Sequence, residues 1–166
     1  MMYLLAKLWK LLHIPTSWQL GFMRIIQDQF LVGVTGVILN ENREVLLFRH
    51  TYRNHAWSLP GGYVKSKEHP KEGLEREIEE ETGLVVSVDT RYKIRTDRDS
   101  ARLDIVYIGS WIGGTFRPST EVSEARFFSF DSLPEIQKSQ LILIEKILSL
   151  RKDRLGTETS ETEGPP

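Results

Sequence analysis

Cysteine is absent from this sequence of 166 residues. Its absence excludes a disulfide framework, a thiolate metal site and a cysteine nucleophile, and it predicts a reducing compartment such as the cytoplasm. Any metal ion must therefore be held by oxygen or imidazole ligands. The histidines His50, His55 and His69 are too scattered along the chain to predict an imidazole site.

Long apolar runs and basic stripes are also missing. No run approaches the roughly 18 apolar residues that a membrane-spanning helix needs. The formal net charge is −1, and the lack of a long basic stripe argues against duplex nucleic acid as a partner. Hydrophobic residues make up 40% of the chain and charged residues 27%. This composition and length are typical of one folded domain with its own core.

Residues 1–28 are predicted to form a helical extension ahead of that domain. Leucines recur there at helical spacing, with Lys7 and Lys10 on the other side of the helix. Because these lysines interrupt the apolar stretch instead of preceding it, the pattern does not indicate a signal peptide. We expect the first helix to pack on the domain or to form a homodimer, and attachment to a membrane surface is the less favoured alternative. A second helix follows, with Thr16 or Ser17 as its predicted cap.

The pattern changes at residue 29 and predicts an α+β domain over residues 29–150. The runs "FLVGVTGVIL" and "EVLLF" predict one hairpin, and "LVVSVDTRYKIRT" and "ARLDIVYIGSWIG" predict another. The stretch "EARFFSF" is a further strand, in which only one of Phe127 and Phe128 is expected to face the core. A final helix is predicted in "DSLPEIQKSQLILIEKILSLR", and residues 151–166, poor in apolar side chains, are predicted to be a disordered tail.

The segment from Glu68 to Glu81 is strongly acidic. It contains seven glutamates against one lysine and one arginine. Pro70 near its start and Gly83 just after it predict a helix between them. Like charges at this density destabilise a helix unless a partner compensates them. The segment is therefore either a solvated surface or a site for a cation.

The glutamates divide into two groups around the predicted helix. At about 100° per residue, Glu77, Glu80 and Glu81 fall within an arc of roughly 100° beside the apolar positions. Three carboxylates within reach of one another would raise their pKa values unless a divalent cation neutralised them. Oxygen ligands of this kind favour Mg²⁺ or Mn²⁺ and leave positions for water and substrate phosphates. The remaining group is predicted to be a solvated face without a specific role: Glu72, Glu75 and Glu79.

The spacing of this segment resembles a known enzyme family. Gly62, then Glu68, then Arg76 through Leu84 match the signature of the Nudix hydrolases, G-x5-E-x7-R-E-U-x-E-E-x-G-U with U aliphatic, at every fixed position. The flanking stretches "WSLPGG" and "EARFFSFDSLPE" are also similar to the family. The resemblance covers residues 30–150, and the N-terminal extension and the tail lie outside it.

This resemblance implies a fold, an activity and a cofactor. The fold is an α/β/α sandwich around a mixed β-sheet, and the activity is hydrolysis of the diphosphate linkage in a nucleoside diphosphate joined to another moiety, X. The cofactor is Mg²⁺ or Mn²⁺. Carried onto this chain, the metal ligands would be Glu77, Glu80 and Glu81, with the backbone carbonyl of Gly62 close by.

The resemblance also implies supporting and catalytic residues. Arg76 and Glu68 would form an ion pair that steadies the ligands. Glu80 or Glu81 is the expected general base. Because relatives differ in where their base lies, Glu121 and Glu124 are candidates beyond the signature, and Glu124 is preferred because it directly precedes the stretch "ARFF".

The substrate is left open by the sequence. Arg49, Tyr52 and Arg53 lie near the expected mouth of the site and are candidates to hold phosphate or to stack on a base. The first hypothesis is a pyrophosphohydrolase acting on a nucleotide conjugate. The second is a nucleoside triphosphate pyrophosphatase that sanitises oxidised nucleotides such as 8-oxo-dGTP. The third, least favoured because no signature carboxylate is lost, is a module that senses a nucleotide without cleaving it.

Overall fold

The computed structural model describes residues 15–51, 56–97 and 101–158. The chain divides into two compact units, Met1–Leu31 and Val32–Pro166. In the first unit the predicted second helix is confirmed as α1, Thr16–Ile26, but its predicted cap is wrong. Pro15 occupies the cap position and no side chain caps the helix. The predicted first helix, in residues 1–14, lies outside the described residues.

In its described residues the second unit is built on a mixed β-sheet of seven strands. The central path runs in the order β3-β2-β1-β6-β5, while β4 pairs with β1 and β7 pairs with β2. Both predicted hairpins are present, β1 with β2 and β5 with β6, and both are antiparallel. The strands are β1 Leu31–Leu39, β2 Val45–His50, β3 Trp57–Ser58, β4 Gly61–Tyr63, β5 Leu84–Asp97, β6 Arg102–Gly114 and β7 Val122–Phe128.

Helices cover both faces of the sheet. Helix α2, Pro70–Thr82, packs Leu74 and Ile78 into one core, which we call the α2 core. Helix α3, Lys138–Glu158, packs its own apolar residues into a second core, the α3 core: Leu143, Ile144 and Ile147. The expected α/β/α sandwich is therefore present. None of the described helices is long and apolar enough to cross a lipid bilayer.

Strand β7 contributes a phenylalanine to each of the two cores. Phe127 packs against the α2 core and Phe128 against the α3 core. The prediction that only one of them faces a core is wrong, because strand residues alternate between two faces and both faces are covered here.

The last helix begins later than its sequence pattern predicts. A 3-10 turn occupies Phe130–Ser132, and Leu133 adopts an extended conformation with φ −58° and ψ 133°. Pro134 follows, and a residue before proline is disfavoured in the helical region, so Leu133 is excluded from the helix. Helix α3 begins only at Lys138, four residues beyond Pro134. Helix α3 then continues to Glu158, past residue 150 where the tail is predicted to begin. Residues 159–166 lie outside the described residues.

Candidate active site

Helix α2 has well-defined ends. His69 occupies the N-cap position, its side chain accepts a hydrogen bond from Lys71 N–H, and Glu72 reaches back to the His69 N–H. Pro70 sits in the first turn, where its missing N–H is not needed. At the other end Gly83 has φ 71°, a left-handed conformation that glycine adopts without strain. These two ends define where the helix begins and ends, and therefore where its carboxylates lie along the helix axis.

The outer face of α2, formed by Glu72, Glu75 and Glu79, makes specific contacts with the rest of the protein. Glu72 is part of the N-terminal cap. Glu75 Oε1 accepts a hydrogen bond of 2.8 Å from Val88 N–H of β5 and so ties the helix to the sheet. The prediction of a face without a specific role is therefore wrong for both residues, because that prediction considered the helix without its neighbours. Glu79, by contrast, is exposed as expected.

Arg76 lies at the centre of the signature carboxylates. Its Nε and Nη2 atoms donate to both oxygens of Glu68, at 2.9 and 2.8 Å. Its Nη1 atom donates to Glu77 Oε1 at 2.8 Å and to Glu80 Oε2 at 2.9 Å. Only 21% of the Arg76 side chain is exposed. One guanidinium group therefore orients three carboxylates at once, and the expected ion pair with Glu68 is present.

Charge compensation by Arg76 is visible in the pKa values. The hydrogen bonds from Arg76, with a further bond from Lys65 N–H, lower the pKa of Glu68 to about 2. The same guanidinium lowers the pKa of Glu80, and hydrogen bonds to Glu68 above all raise the pKa of Arg76 itself. For Glu80, one of the carboxylates whose pKa was expected to rise, the direction is thus the opposite, because a cationic side chain lies beside it.

Two glycines make room for these carboxylates. A Cβ added at Gly62 would lie 2.5 Å from the Glu77 carboxyl carbon, so any side chain at this position would displace the carboxylate. A Cβ at Gly73, in the middle of α2, would lie 2.9 Å from Glu68 Oε1. Gly62 therefore acts first by letting Glu77 approach the backbone of β4, and this close approach was not anticipated from the sequence.

The donors around Gly62 fit a divalent cation chemically. Glu77, Glu80 and Glu81 supply only hard oxygen atoms, from one and a half turns of a single helix. Arg76 takes up one oxygen each of Glu77 and Glu80, and the other oxygen of Glu77 points toward the space that a Cβ at Gly62 would fill. In the described part of the chain no three acidic or histidine side chains already converge as a metal site. Glu80 is 54% exposed against 18% for Glu77, so of these two side chains it can turn toward a cation more readily.

Glu124 lies on strand β7, away from the signature helix α2. It is opposite Arg49 in the β2–β7 ladder, and its two oxygens bond to Arg49 Nη1 at 2.5 Å and to Arg126 Nη2 at 2.6 Å. The Arg49 hydrogen bond is the main cause of a lowered pKa at Glu124. The structure thus joins two residues that the sequence suggested for different roles, general base and phosphate binding. Tyr52 and Arg53 lie outside the described residues.

A cleft of about 680 Å³ borders strand β4. Gly61, Gly62 and Tyr63 form one edge of it, and the start of α3 contributes Gln137 and Gln140. Gln140 Oε1 accepts a hydrogen bond of 2.9 Å from Leu59 N–H, which leaves the NH₂ end of this amide as a donor. Hydroxyl, amide, guanidinium and carboxylate groups together make this a polar site, suited to a sugar or a nucleotide.

The cleft contains a charged cluster that was missed in the sequence. Asp104, with 5% of its side chain exposed, accepts hydrogen bonds from Thr35 Oγ1 at 3.0 Å, Arg95 Nε at 2.9 Å and Arg102 Nη2 at 3.1 Å. We call these four residues the Asp104 cluster. The Arg102 guanidinium also lies over the ring of Tyr63, 5.0 Å from its centroid. The one sequence signal was an aspartate inside the apolar run "LDIVYI".

The signature carboxylates and the Asp104 cluster lie on opposite faces of the sheet. A Cβ at Gly62 would point at Glu77, whereas a Cβ at Gly33, the partner of Tyr63, would point at Arg102. Because successive strand residues face opposite ways, Gly62 and Tyr63 direct their substituents to the α2 side and the α3 side respectively. Strand β4 is thus the border between a carboxylate site and a polar cleft.

Comparisons with known proteins agree with this geometry. A family model described as the NUDIX domain matches residues 29–147. An ADP-ribose pyrophosphatase of Methanocaldococcus jannaschii is 34% identical over 110 residues, which are 63% of this chain and 65% of that protein. This chain therefore spans slightly less than two thirds of that relative.

Solved structures have the same fold. The crystal structure of an ADP-ribose pyrophosphatase from Streptococcus suis 89-1591 matches with a TM-score of 0.60 at 26% identity, over 72% of this chain and 92% of that one. The crystal structure of a UDP-X diphosphatase matches with a TM-score of 0.65 at 23% identity, over 83% of this chain and 73% of that one, and this second match concerns the fold alone.

Proposed function

This chain belongs to the Nudix hydrolase family, and we propose that it hydrolyses the diphosphate linkage of a nucleoside diphosphate joined to another moiety, X, with the help of a divalent cation. The observation that carries the proposal is the arrangement around Arg76. One guanidinium orients Glu68, Glu77 and Glu80 at 2.8–2.9 Å, with Glu77 against the bare backbone of Gly62. A purely structural acidic helix would not need this convergence next to an open cleft.

The proposed cation ligands are Glu77, Glu80 and Glu81, with the carbonyl of Gly62. Nudix enzymes generally use divalent metal cations, and the oxygen donors present here favour Mg²⁺ or Mn²⁺. When bound, such a cation supplies Lewis acidity toward the diphosphate oxygens and activates a water molecule.

The protein's own residues supply orientation and a proton acceptor. Arg76 holds one oxygen of Glu77 and one of Glu80. The other oxygen of Glu77 is directed at Gly62, whereas the other oxygen of Glu80 accepts a bond of 3.4 Å from Lys65 Nζ. The proton of the attacking water passes to a carboxylate of the signature, Glu80 or Glu81. Glu124 is the weaker candidate for this base, because both of its oxygens are already bonded to guanidinium groups.

The cleft on the other side of β4 is the proposed site for one of the two moieties that flank the diphosphate. Its polar lining suits a sugar or a base, and Gly61 and Gly62 connect it to the carboxylates. The names of the relatives support a nucleotide sugar as the conjugate, since two of them are ADP-ribose pyrophosphatases. Arg49, Tyr52 and Arg53 remain proposed contacts at the mouth of the site.

A product assay tests the proposal directly. The full chain is incubated with Mg²⁺ or Mn²⁺ and a panel of nucleoside diphosphate conjugates and nucleoside triphosphates, in water enriched in ¹⁸O. We expect two phosphomonoester products from a conjugate, with ¹⁸O in only one of them, which identifies the attacked phosphorus.

Two other outcomes would each replace the proposal. Release of pyrophosphate from triphosphates alone would favour the sanitising enzyme of the second hypothesis. Tight nucleotide binding without any product, under both cations, would favour the sensor of the third.

A further inference from the structure

We infer that Arg95 and Arg102 are specificity-determining residues that bind an anionic group, phosphate or carboxylate, on the part of the substrate that enters the cleft. The inference rests on the proposed function and deepens it. It begins from the charge of the Asp104 cluster. Two guanidinium groups face a single carboxylate, and no other charged side chain is among the described residues that line the cleft. Among the described side chains of the cleft, arginines therefore outnumber carboxylates by one.

The bonds to Asp104 leave donors available for a ligand. Asp104 is bonded to Nε of Arg95 and to Nη2 of Arg102. A guanidinium group has five N–H donors, so most of them remain after one bond is made. Both side chains are about a third exposed, at 36% for Arg95 and 30% for Arg102, and both line the cleft. Two arginines presented in this way suit the bidentate recognition of a phosphate or carboxylate.

Their positions are determined by the fold. Arg102 lies between the backbone of Gly33, where a Cβ would come within 2.6 Å of the guanidinium carbon, and the ring of Tyr63. Arg95 is held by its place opposite Asp104 in the β5–β6 hairpin. Because both guanidinium groups are held before a ligand arrives, little side-chain entropy is lost on binding.

The location argues against the diphosphate as the anion that these arginines bind. The proposed cation ligands lie on the α2 side of β4, whereas the Asp104 cluster lies on the α3 side. A diphosphate held at Gly61 and Gly62 would extend one flanking moiety past Tyr63 toward the arginines. That moiety, either X or the nucleoside, is the one whose extra negative charge the cleft would recognise.

Matched substrate pairs test this inference in the full chain. UDP-glucuronate and UDP-glucose differ by a carboxylate on X. In the second pair, ADP-ribose 2′-phosphate carries a phosphate on the nucleoside side that ADP-ribose lacks. We expect the anionic member of one pair to have a KM lower by about tenfold, with kcat within about twofold. The pair that shows the preference identifies which anion the cleft takes.

Variants connect the preference to the arginines. Arg102→Gln and Arg95→Gln should abolish the preference, so that the two members of the pair have KM values within about twofold of each other. Arg91→Gln, which removes the same charge from an exposed position of the same strand β5, should retain it. Should removal of Arg102 prevent folding, Arg95→Gln, at the more exposed of the two side chains, gives the answer alone.

Equilibrium binding separates this inference from the proposed function. Calorimetry with the same four compounds measures the preference whether or not any is hydrolysed, so an inactive protein with anion-dependent affinity would contradict only the hydrolase proposal. Equal affinity for both members of each pair would overturn the inference. So would variants that weaken both members of a pair equally, since the arginines would then contact the diphosphate or stack on a base.

Discussion

The two charged clusters of this protein are opposite in composition. Around Arg76, one cation is surrounded by glutamates, and the excess charge is negative. Around Asp104, one buried anion is surrounded by arginines, and the excess charge is positive. Asp104 is more buried than the two arginines around it, at 5% exposed against 36% and 30%. Arg76, at 21%, is about as exposed as Glu68 and Glu77, and only Glu80, at 54%, is clearly more exposed. The difference in sign suits a substrate that arrives with a metal cation at one end and an anionic group at the other.

The clusters also differ in how the chain builds them. The glutamates bonded to Arg76 are within eight residues of it in sequence, so one loop and one helix are sufficient. Thr35 and Asp104 are 69 residues apart and meet only when the sheet forms. A local cluster can survive small changes elsewhere in the fold, whereas a cluster between strands depends on their register. This contrast leads to predictions of different size and kind.

The largest effect is expected at the signature carboxylates. Glu80→Gln or Glu81→Gln should lower kcat by about 10³-fold, because each change removes a charge from the proposed cation site and a candidate base. The thermal midpoint should stay close to that of the wild type. Glu79→Gln, an exposed neighbour on the same helix, is the matched control. A rate near that of the wild type in both test variants would remove these residues from the mechanism.

A change that keeps every carboxylate should also be costly. In Gly62→Ala the new Cβ would lie 2.5 Å from the Glu77 carboxyl carbon, so the carboxylate must move. A displacement of about 1 Å at such a site lowers turnover by about 10²-fold. Gly21→Ala is the control, since nothing lies within 4 Å of a Cβ there. Equal activity of the two alanine variants would show that the contact with Gly62 is unimportant.

Removing the charge of Asp104 should chiefly lower the stability of the folded protein. Asp104→Asn removes the charge that two arginines share, and we expect the free energy of unfolding to fall by about 2 kcal/mol, less than for a fully buried pair because the arginines are partly exposed. Denaturant unfolding monitored by circular dichroism measures the change. Asp131→Asn, at an exposed position in the 3-10 turn, is the control. No loss of stability would mean that the arginines do not need their anion.

A smaller effect is expected on the outer face of α2. Glu75→Ala should cost about 1 kcal/mol, because the Val88 N–H loses its acceptor. Glu79→Ala should lower the free energy of unfolding by only a few tenths of a kcal/mol, on the order expected for an exposed side chain. The same unfolding measurement compares the two variants, and equal values would restore the view that this face is merely solvated.

The smallest effect on chemistry is expected from the N-terminal extension. Every member of the two clusters lies at residue 35 or later, so removal of residues 1–28 should leave turnover unchanged. The proposed homodimer would instead become a monomer. Light scattering measures the mass, and an unchanged mass would exclude the dimer through this extension.

Much of the signature site follows from sequence because its geometry is local. Residues three and four apart share a helix face, so the spacing predicts that Glu80 lies near both Arg76 and Glu77. The contact between the adjacent residues Arg76 and Glu77 does not follow from this rule and is seen only in the structure. The ends of α2 at Pro70 and Gly83 follow from the same kind of local rule. Pro134 excludes Leu133 from α3, but the later start of that helix at Lys138 was not predicted from the local pattern.

Other features were decided only by tertiary structure. Glu75 meets Val88 because α2 lies against β5, and nothing in the helix alone shows this contact. The pairing of Arg95 with Asp104 depends on a hairpin whose register shifts near Val86, Thr90 and Lys93. Each irregularity of this kind changes which residues oppose one another, and a slip of one residue moves a side chain to the other face of the sheet.

The spacing of neighbouring residues therefore determines the signature helix, and the register of distant strands determines the cleft. The acidic signature, its helix and the family follow from the spacing of residues along 23 positions of the sequence. The basic cleft beside it needed strands β1, β5 and β6 to be aligned in three dimensions. The physical reason is that helical contacts repeat every few residues, whereas contacts across a sheet depend on how distant segments pair.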